Sequence, residues 1–85
     1  MTTLTLIGRT YCHLCHDMEL AVRPLAEEFG IGLKLLDADA DPRLESLYGE
    51  RVPVLLHGET ELCHYFMDAG KVRDYLSNNY GTIKA

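Results

Sequence analysis

No stretch of this 85-residue chain stays apolar for the length of a membrane span. The opening Met1-Thr2-Thr3-Leu4 lacks the basic segment and apolar core of a secretory leader, so a cytoplasmic location is expected. Basic residues are few: eight Lys and Arg stand singly against thirteen Asp and Glu, for a net charge of −5. Phosphate neutralisation needs clustered cations, so nucleic acid is excluded as a partner. Linkers, repeats and low-complexity segments are absent, and the length leaves room for one domain, residues 1–85, expected as a monomer. With 47% hydrophobic residues the chain has enough apolar material to fold, although a domain this small has a small core.

Cysteine is also scarce, and two of the three residues fall in Thr10-Tyr11-Cys12-His13-Leu14-Cys15-His16. A Cys-x-x-Cys pair can bind zinc, cycle between dithiol and disulfide or, when His follows, carry a c-type haem. A second such pair, which structural zinc would ask for, is missing. Cys63 and His64 are adjacent, so on a strand they point to opposite faces. No metal site is therefore expected. Haem attachment needs export and helical wrapping, neither of which the chain offers, and His16 reads as an exposed helical residue. The acidic run Asp37-Ala38-Asp39-Ala40-Asp41 begins like a calcium loop, but Pro42 and Tyr48 stand where Gly and Glu are needed. Its carboxylates read instead as a strand end and a helix cap.

Periodicity places the thiols. Leu4 to Ile7 forms a short strand ended by Gly8. From His13 to about Phe29, Leu14, Met18, Val22, Leu25 and Phe29 recur at helical spacing, with a kink expected at Pro24 and a stop at Gly30. Ile31 to Leu36 alternates as a second strand. Asp41-Pro42 starts a short helix to about Tyr48. Val52 to His57 and Thr60 to Cys63 or His64 form a hairpin about Gly58. Asp68 caps a last helix to about Asn79, with Val72, Tyr75 and Leu76 inward. The order β-α-β-α-β-β-α predicts an α/β fold, with the first two strands parallel, the last two antiparallel, and a four-stranded mixed sheet flanked by helices on both faces.

Cys12 then falls at a helix cap, where free N–H groups and the helix dipole favour thiolate; in such motifs the pKa falls from about 8.5 toward neutrality. Cys12 is the expected nucleophile, and Cys15, one turn on, the resolving thiol. Pro53 opens a strand where proline removes a ladder donor. That placement suggests a special geometry such as a cis peptide, presenting the Val52 backbone to an extended peptide. His13 either tunes Cys12 or is simply solvated. Tyr11 either packs on a substrate or covers the sheet edge. Cys63 is either a small apolar strand residue or, near the active site, an extra redox or metal ligand.

Thr-Tyr-Cys-x-x-Cys after a first strand, the Asp-rich end of the second and Val52-Pro53 before a hairpin together resemble the glutaredoxins and the wider thioredoxin fold. The resemblance runs from about Leu4 to Leu76. It implies a thiol–disulfide oxidoreductase that reduces protein or glutathione-mixed disulfides, with no tightly bound cofactor and glutathione as a candidate reductant. It implies that Arg9 takes the place of a lysine that assists the thiolate and the glutathione carboxylate, with Val52 and Pro53 pairing with substrate backbone. The usual Gly-Gly after the hairpin is absent, Cys63-His64 standing about there, and Asp68 is a loose match to the acidic residue that follows. The alternatives are a metal- or Fe–S-binding thiol module and a thioredoxin-fold binding domain without turnover.

Overall fold

The computed structural model of the protein describes residues 3–79. Its elements are β1 (Thr3–Gly8), α1 (His13–Phe29), β2 (Gly32–Asp37), a 3-10 turn (Ala38–Ala40), α2 (Pro42–Tyr48), β3 (Val54–His57), β4 (Thr60–His64) and α3 (Ala69–Asn79). The strands form one mixed sheet in the order β2-β1-β3-β4. β1 pairs with β2 in parallel and with β3 antiparallel, and β3 pairs antiparallel with β4. The expected fold and element order are present, with the 3-10 turn as an addition.

Strand alternation divides the apolar residues between two faces. Leu4, Leu6 and Leu55 turn to one face and pack with Met18, Val22 and Leu25 of α1 and Val72 and Leu76 of α3. Ile7, Val54 and Leu56 turn to the other, where Ala38 and the α2 residues Leu44 and Tyr48 cover them. At β4 the register slips between Leu55 and Leu56: Cys63 opposes Leu55 and Glu61 opposes Leu56. Leu62 is the extra residue of this bulge, so Leu62 and Cys63 both join the α1/α3 core.

Helix α1 departs from expectation in two ways. It runs unbroken through Pro24, where a kink was expected. Pro24 is exposed and Leu20, whose carbonyl loses its donor, is 56% exposed, so the missing hydrogen bond lies on the face open to water while Val22, Leu25 and Ala26 stay packed. The buried stripe begins at Cys15 rather than Leu14, which is 37% exposed. Cys15, Met18, Val22 and Leu25 keep the 3-4-3 spacing of a packed helix face. Gly30, left-handed at φ 67°, ends the helix, and the Gly30 and Ile31 N–H groups donate back to Glu27 and Ala26 carbonyls.

In β2 only part of the predicted alternation is inward: Leu33 packs on the core, but Leu35 is 48% exposed because β2 is an edge strand whose far end α1 leaves uncovered. β3 pairs only from Val54, two residues later than predicted, since Pro53 has no N–H to donate. Among the described residues no helix is long and apolar enough to cross a membrane.

Leu55 is fully buried at the centre of the larger core. Leu55→Ala should cost about 2–5 kcal/mol, a large share of the roughly 5–15 kcal/mol available to a domain. Urea unfolding checks this, and a loss below about 1 kcal/mol would place Leu55 outside the cooperative core.

Candidate active site

One end of the sheet gathers the chemistry. β1 ends there at Gly8 and β2 at Asp37, while β3 begins there, opposite Ile7, at Val54. β4 leaves at the same end, His64 being the partner of Val54. The Thr10–Cys12 loop rises from this end into α1, and its direction is fixed by Thr10 Oγ1 donating to Asp37 Oδ2 at 3.2 Å.

Cys12 is the N-cap of α1, in extended conformation, and its Sγ accepts the Cys15 N–H at 3.1 Å. The sulfur therefore occupies the position a Ser or Asp oxygen takes in a capped helix, against unsatisfied N–H groups at the positive end of the dipole. Cys15 lies one turn in and is disulfide-bonded to Cys12 across a Cα–Cα distance of 5.2 Å. Cys12 is half-buried and Cys15 is 7% exposed, so the first sulfur is the more accessible of the two. Gly8 makes this possible: a Cβ there would stand 3.0 Å from both Cβ and Sγ of Cys15. A side chain there would press on Cys15, so glycine suits the close approach of α1 to β1 that seats the pair.

Val52-Pro53 is cis. The β1–β3 ladder ends at the Ile7–Val54 pair, so Gly8 and Pro53 each lie one residue beyond the same end of it. The ladder begins at Val54, so Val52 precedes it with its main chain outside the sheet. Val52-Pro53 therefore lies at the same end of the sheet as the Cys12–Cys15 pair. On the β2 side lies a cleft of about 250 Å³ walled by Leu6, Arg9, Glu19, Leu35 and Asp37.

Arg9, expected to lend its charge to a substrate, is otherwise engaged. Its guanidinium pairs with Asp39 and with Glu45 (2.7 Å), and donates to the Gly49 carbonyl at 2.9 Å. The hydrogen bond to Glu45 raises its pKa, with the Asp39 charge adding to this. Arg9 ties β1 to the 3-10 turn and α2, and its charge is already matched by two carboxylates. The acidic run is spent in the same way: Asp37 accepts the Asp39 N–H and Asp41 caps α2 by accepting the Arg43 N–H. Asp68 caps α3 through the Lys71 N–H. Tyr11 is fully exposed beside Cys12, and His13 is exposed at the first helical position. Among the described residues no three His, Cys, Asp or Glu side chains converge to hold a metal ion.

Cys63 sits apart from the pair. It is 8% exposed in the α1/α3 core, with the Asp68 N–H donating to it, and burial pushes its thiol pKa up from 9.0. It is the free cysteine of the three, and it does not line the cleft that Cys12 and Cys15 share.

Sequence reasoning missed one residue here. Tyr65, just after β4, has φ 65°, a left-handed conformation that costs a bulky side chain about 1–3 kcal/mol. Its N–H donates to the Pro53 carbonyl at 2.9 Å and its hydroxyl to the Glu50 carbonyl at 2.8 Å. The only sequence signal was negative: the turn from His64 to Met67 contains no Gly, Asn, Asp or Pro to form it.

Comparison with known proteins agrees with this geometry. The profile of the Glutaredoxin-like domain (DUF836) matches residues 3–77. The solution NMR structure of a protein from Nitrosomonas europaea is 40% identical, with 89% of this chain and 92% of that chain covered and a TM-score of 0.78. The X-ray structure of a structural-genomics target from X. campestris is 38% identical over 88% of this chain and 96% of that one, with a TM-score of 0.64. Thioredoxin 1 from Thermosipho africanus is 17% identical, covers 91% of this chain and 97% of its own, and superposes with a TM-score of 0.62, which establishes the thioredoxin fold. No curated protein gives a significant match.

Cys63 should be the slow thiol. In reduced, folded protein at pH 7, iodoacetamide is expected to label Cys12 well before Cys63, which should react fully only after unfolding. Because the folded state holds the Cys63 proton more tightly, its contribution to stability should be complete below pH 9 and decline as pH rises above that. Mass spectrometry of the labelled peptides decides: equal labelling of Cys12 and Cys63 contradicts the burial argument.

Proposed function

The chain belongs to the Glutaredoxin-like domain family, and from that premise we propose that it is a thiol–disulfide oxidoreductase acting through Cys12 and Cys15. The thioredoxin fold and the adjacent cysteine pair fit a redox role. The observation that carries the finer reading is the position of Cys12 Sγ at the start of α1, accepting the Cys15 N–H.

The cycle begins with both cysteines reduced. Cys12 thiolate attacks one sulfur of a substrate disulfide, the substrate S–S bond breaks, and the other substrate sulfur leaves as thiolate and takes up a proton. Cys15 loses its proton and attacks Cys12 Sγ. The mixed disulfide breaks, the substrate leaves fully reduced, and Cys12–Cys15 holds the oxidising equivalents. An external dithiol, or two monothiols, then reverses the exchange on the enzyme and is itself oxidised. The N–H donor at Cys12 Sγ stabilises the negative sulfur both when it attacks and when it leaves. Substrate backbone pairs with Val52, Tyr11 packs against its side chains, and His13 flanks the thiolate. Cytoplasmic conditions, which keep thiols reduced, suit a single chain turning over in this direction.

Protein disulfides and glutathione-mixed disulfides are the substrate classes. Glutathione is also a candidate reductant, but among the described residues its carboxylates meet no lysine or arginine lining the cleft other than Arg9, which Asp39 and Glu45 already hold.

Two measurements test the reading. Cys12→Ser should lose disulfide reduction by orders of magnitude, whereas Cys15→Ser should accumulate a mixed disulfide visible by mass. A Cys12→Ser protein that keeps its activity would falsify the assignment. Turnover should also be several-fold faster with dithiothreitol, a neutral dithiol, than with glutathione at equal thiol concentration. The reverse order would show that a cation for the glutathione carboxylates exists despite the pairing of Arg9.

A further inference from the structure

Tyr65 holds a backbone conformation that its side chain disfavours, and core packing does not explain it. The residue is 42% exposed and belongs to neither apolar cluster. Its φ of 65° is the one positive value among the described non-glycine residues. A conformation of this kind persists where surrounding bonds over-determine it, so its bonds show what it is for.

Those bonds go to one segment. The main-chain N–H reaches the Pro53 carbonyl at 2.9 Å and the phenol hydroxyl reaches the Glu50 carbonyl at 2.8 Å. The two carbonyls lie on either side of Val52, in the connection between α2 and β3. The left-handed φ allows both bonds from a single residue, because it turns the chain back toward the connection as β4 ends. The Tyr65 ring also stands edge-on to His64, with centroids 4.8 Å apart, which fixes the direction of the phenol. Arg51 anchors the same connection from its other flank, to Glu61 and to the Leu47 carbonyl at 2.9 Å.

We propose that Tyr65 is a positioning residue for substrate docking: it clamps the Glu50–Pro53 backbone so that Val52 is held ready to pair with the extended chain of a disulfide-bearing polypeptide next to Cys12. This rests on the oxidoreductase reading above. The clamp acts on the docking backbone rather than on the thiols, so it governs how well a polypeptide is held and leaves the sulfur chemistry alone. Preorganisation of this kind appears in KM, because a loose segment has to be ordered each time a substrate binds.

Insulin serves as the polypeptide disulfide, with dithiothreitol as reductant and its direct reaction subtracted. Tyr65→Phe deletes only the hydroxyl donor. It should raise KM for insulin about 3- to 10-fold, the worth of one hydrogen bond, with kcat and the iodoacetamide rate of Cys12 unchanged. Tyr65→Gly keeps the turn without its strain. It should melt no lower than wild type and still show the higher KM, a combination that a purely structural role would not give. Amide exchange at Arg51 and Val52 should quicken in both variants, while the centre of the sheet is unaffected. Unchanged KM in both variants, unchanged exchange at Arg51 and Val52, or a Cys12 alkylation rate that shifts with the substitution would each overturn the clamp. Wild-type protein that reduces no insulin beyond the dithiothreitol background would instead overturn the oxidoreductase reading, and the docking role with it.

Discussion

The close approach of α1 to the end of β1 governs everything else at this site. A glycine at position 8 leaves room for the Cys15 sulfur against the strand, and a Cβ there would sit 3.0 Å from it. Once Cys15 faces the sheet, the register of the whole helix is set. Met18, Val22 and Leu25 fall on the same stripe, and Leu14 is turned outward although it is the more apolar residue. The same contact leaves Cys12 at the cap, with its sulfur on the helix N-terminus. Core packing and thiol chemistry are therefore two consequences of one contact.

Around that contact, the charged residues are used mainly to hold connections in place. Arg9 joins the exit of β1 to the 3-10 turn and α2, and Arg51 joins the α2–β3 connection to β4. Exposed ion pairs contribute little to stability, so orientation is the better account of them. Both arginines bracket the segments that meet at the thiol end of the sheet. Both cations are already matched by carboxylates, Arg9 by Asp39 and Glu45 and Arg51 by Glu61.

Much of the fold could be read directly from the residues. Gly8, Gly30, Asp41-Pro42 and Asp68 mark their boundaries by mechanisms local to a few residues, and the observed elements begin or end within two residues of those marks. The departures have non-local causes. Pro24 is tolerated because its side of α1 faces water, which depends on where the sheet lies. Leu35 is exposed because β2 turned out to be an edge. The bulge that puts both Leu62 and Cys63 inward depends on how β4 registers against β3. Arg9 was legible as a positive charge at a suggestive spacing, but its carboxylate partners lie 30 and 36 residues away in sequence. Tyr65 was invisible, since tyrosine carries no turn signal and its acceptors belong to another connection.

By itself, then, the sequence determined the order of elements, the cap position of Cys12 and the one-turn spacing of Cys15, because each depends on neighbours within a turn of chain. It also determined that Pro53 could not join the ladder, since a missing N–H is a property of the residue. Only the tertiary structure decided which face each strand shows and that Cys63 is buried in the α1/α3 core. It also decided that Arg9 is engaged and that Tyr65 grips the backbone beside Val52. Those outcomes depend on segments distant in the chain meeting at one end of the sheet, and a contact between such segments is fixed by packing rather than by local propensity.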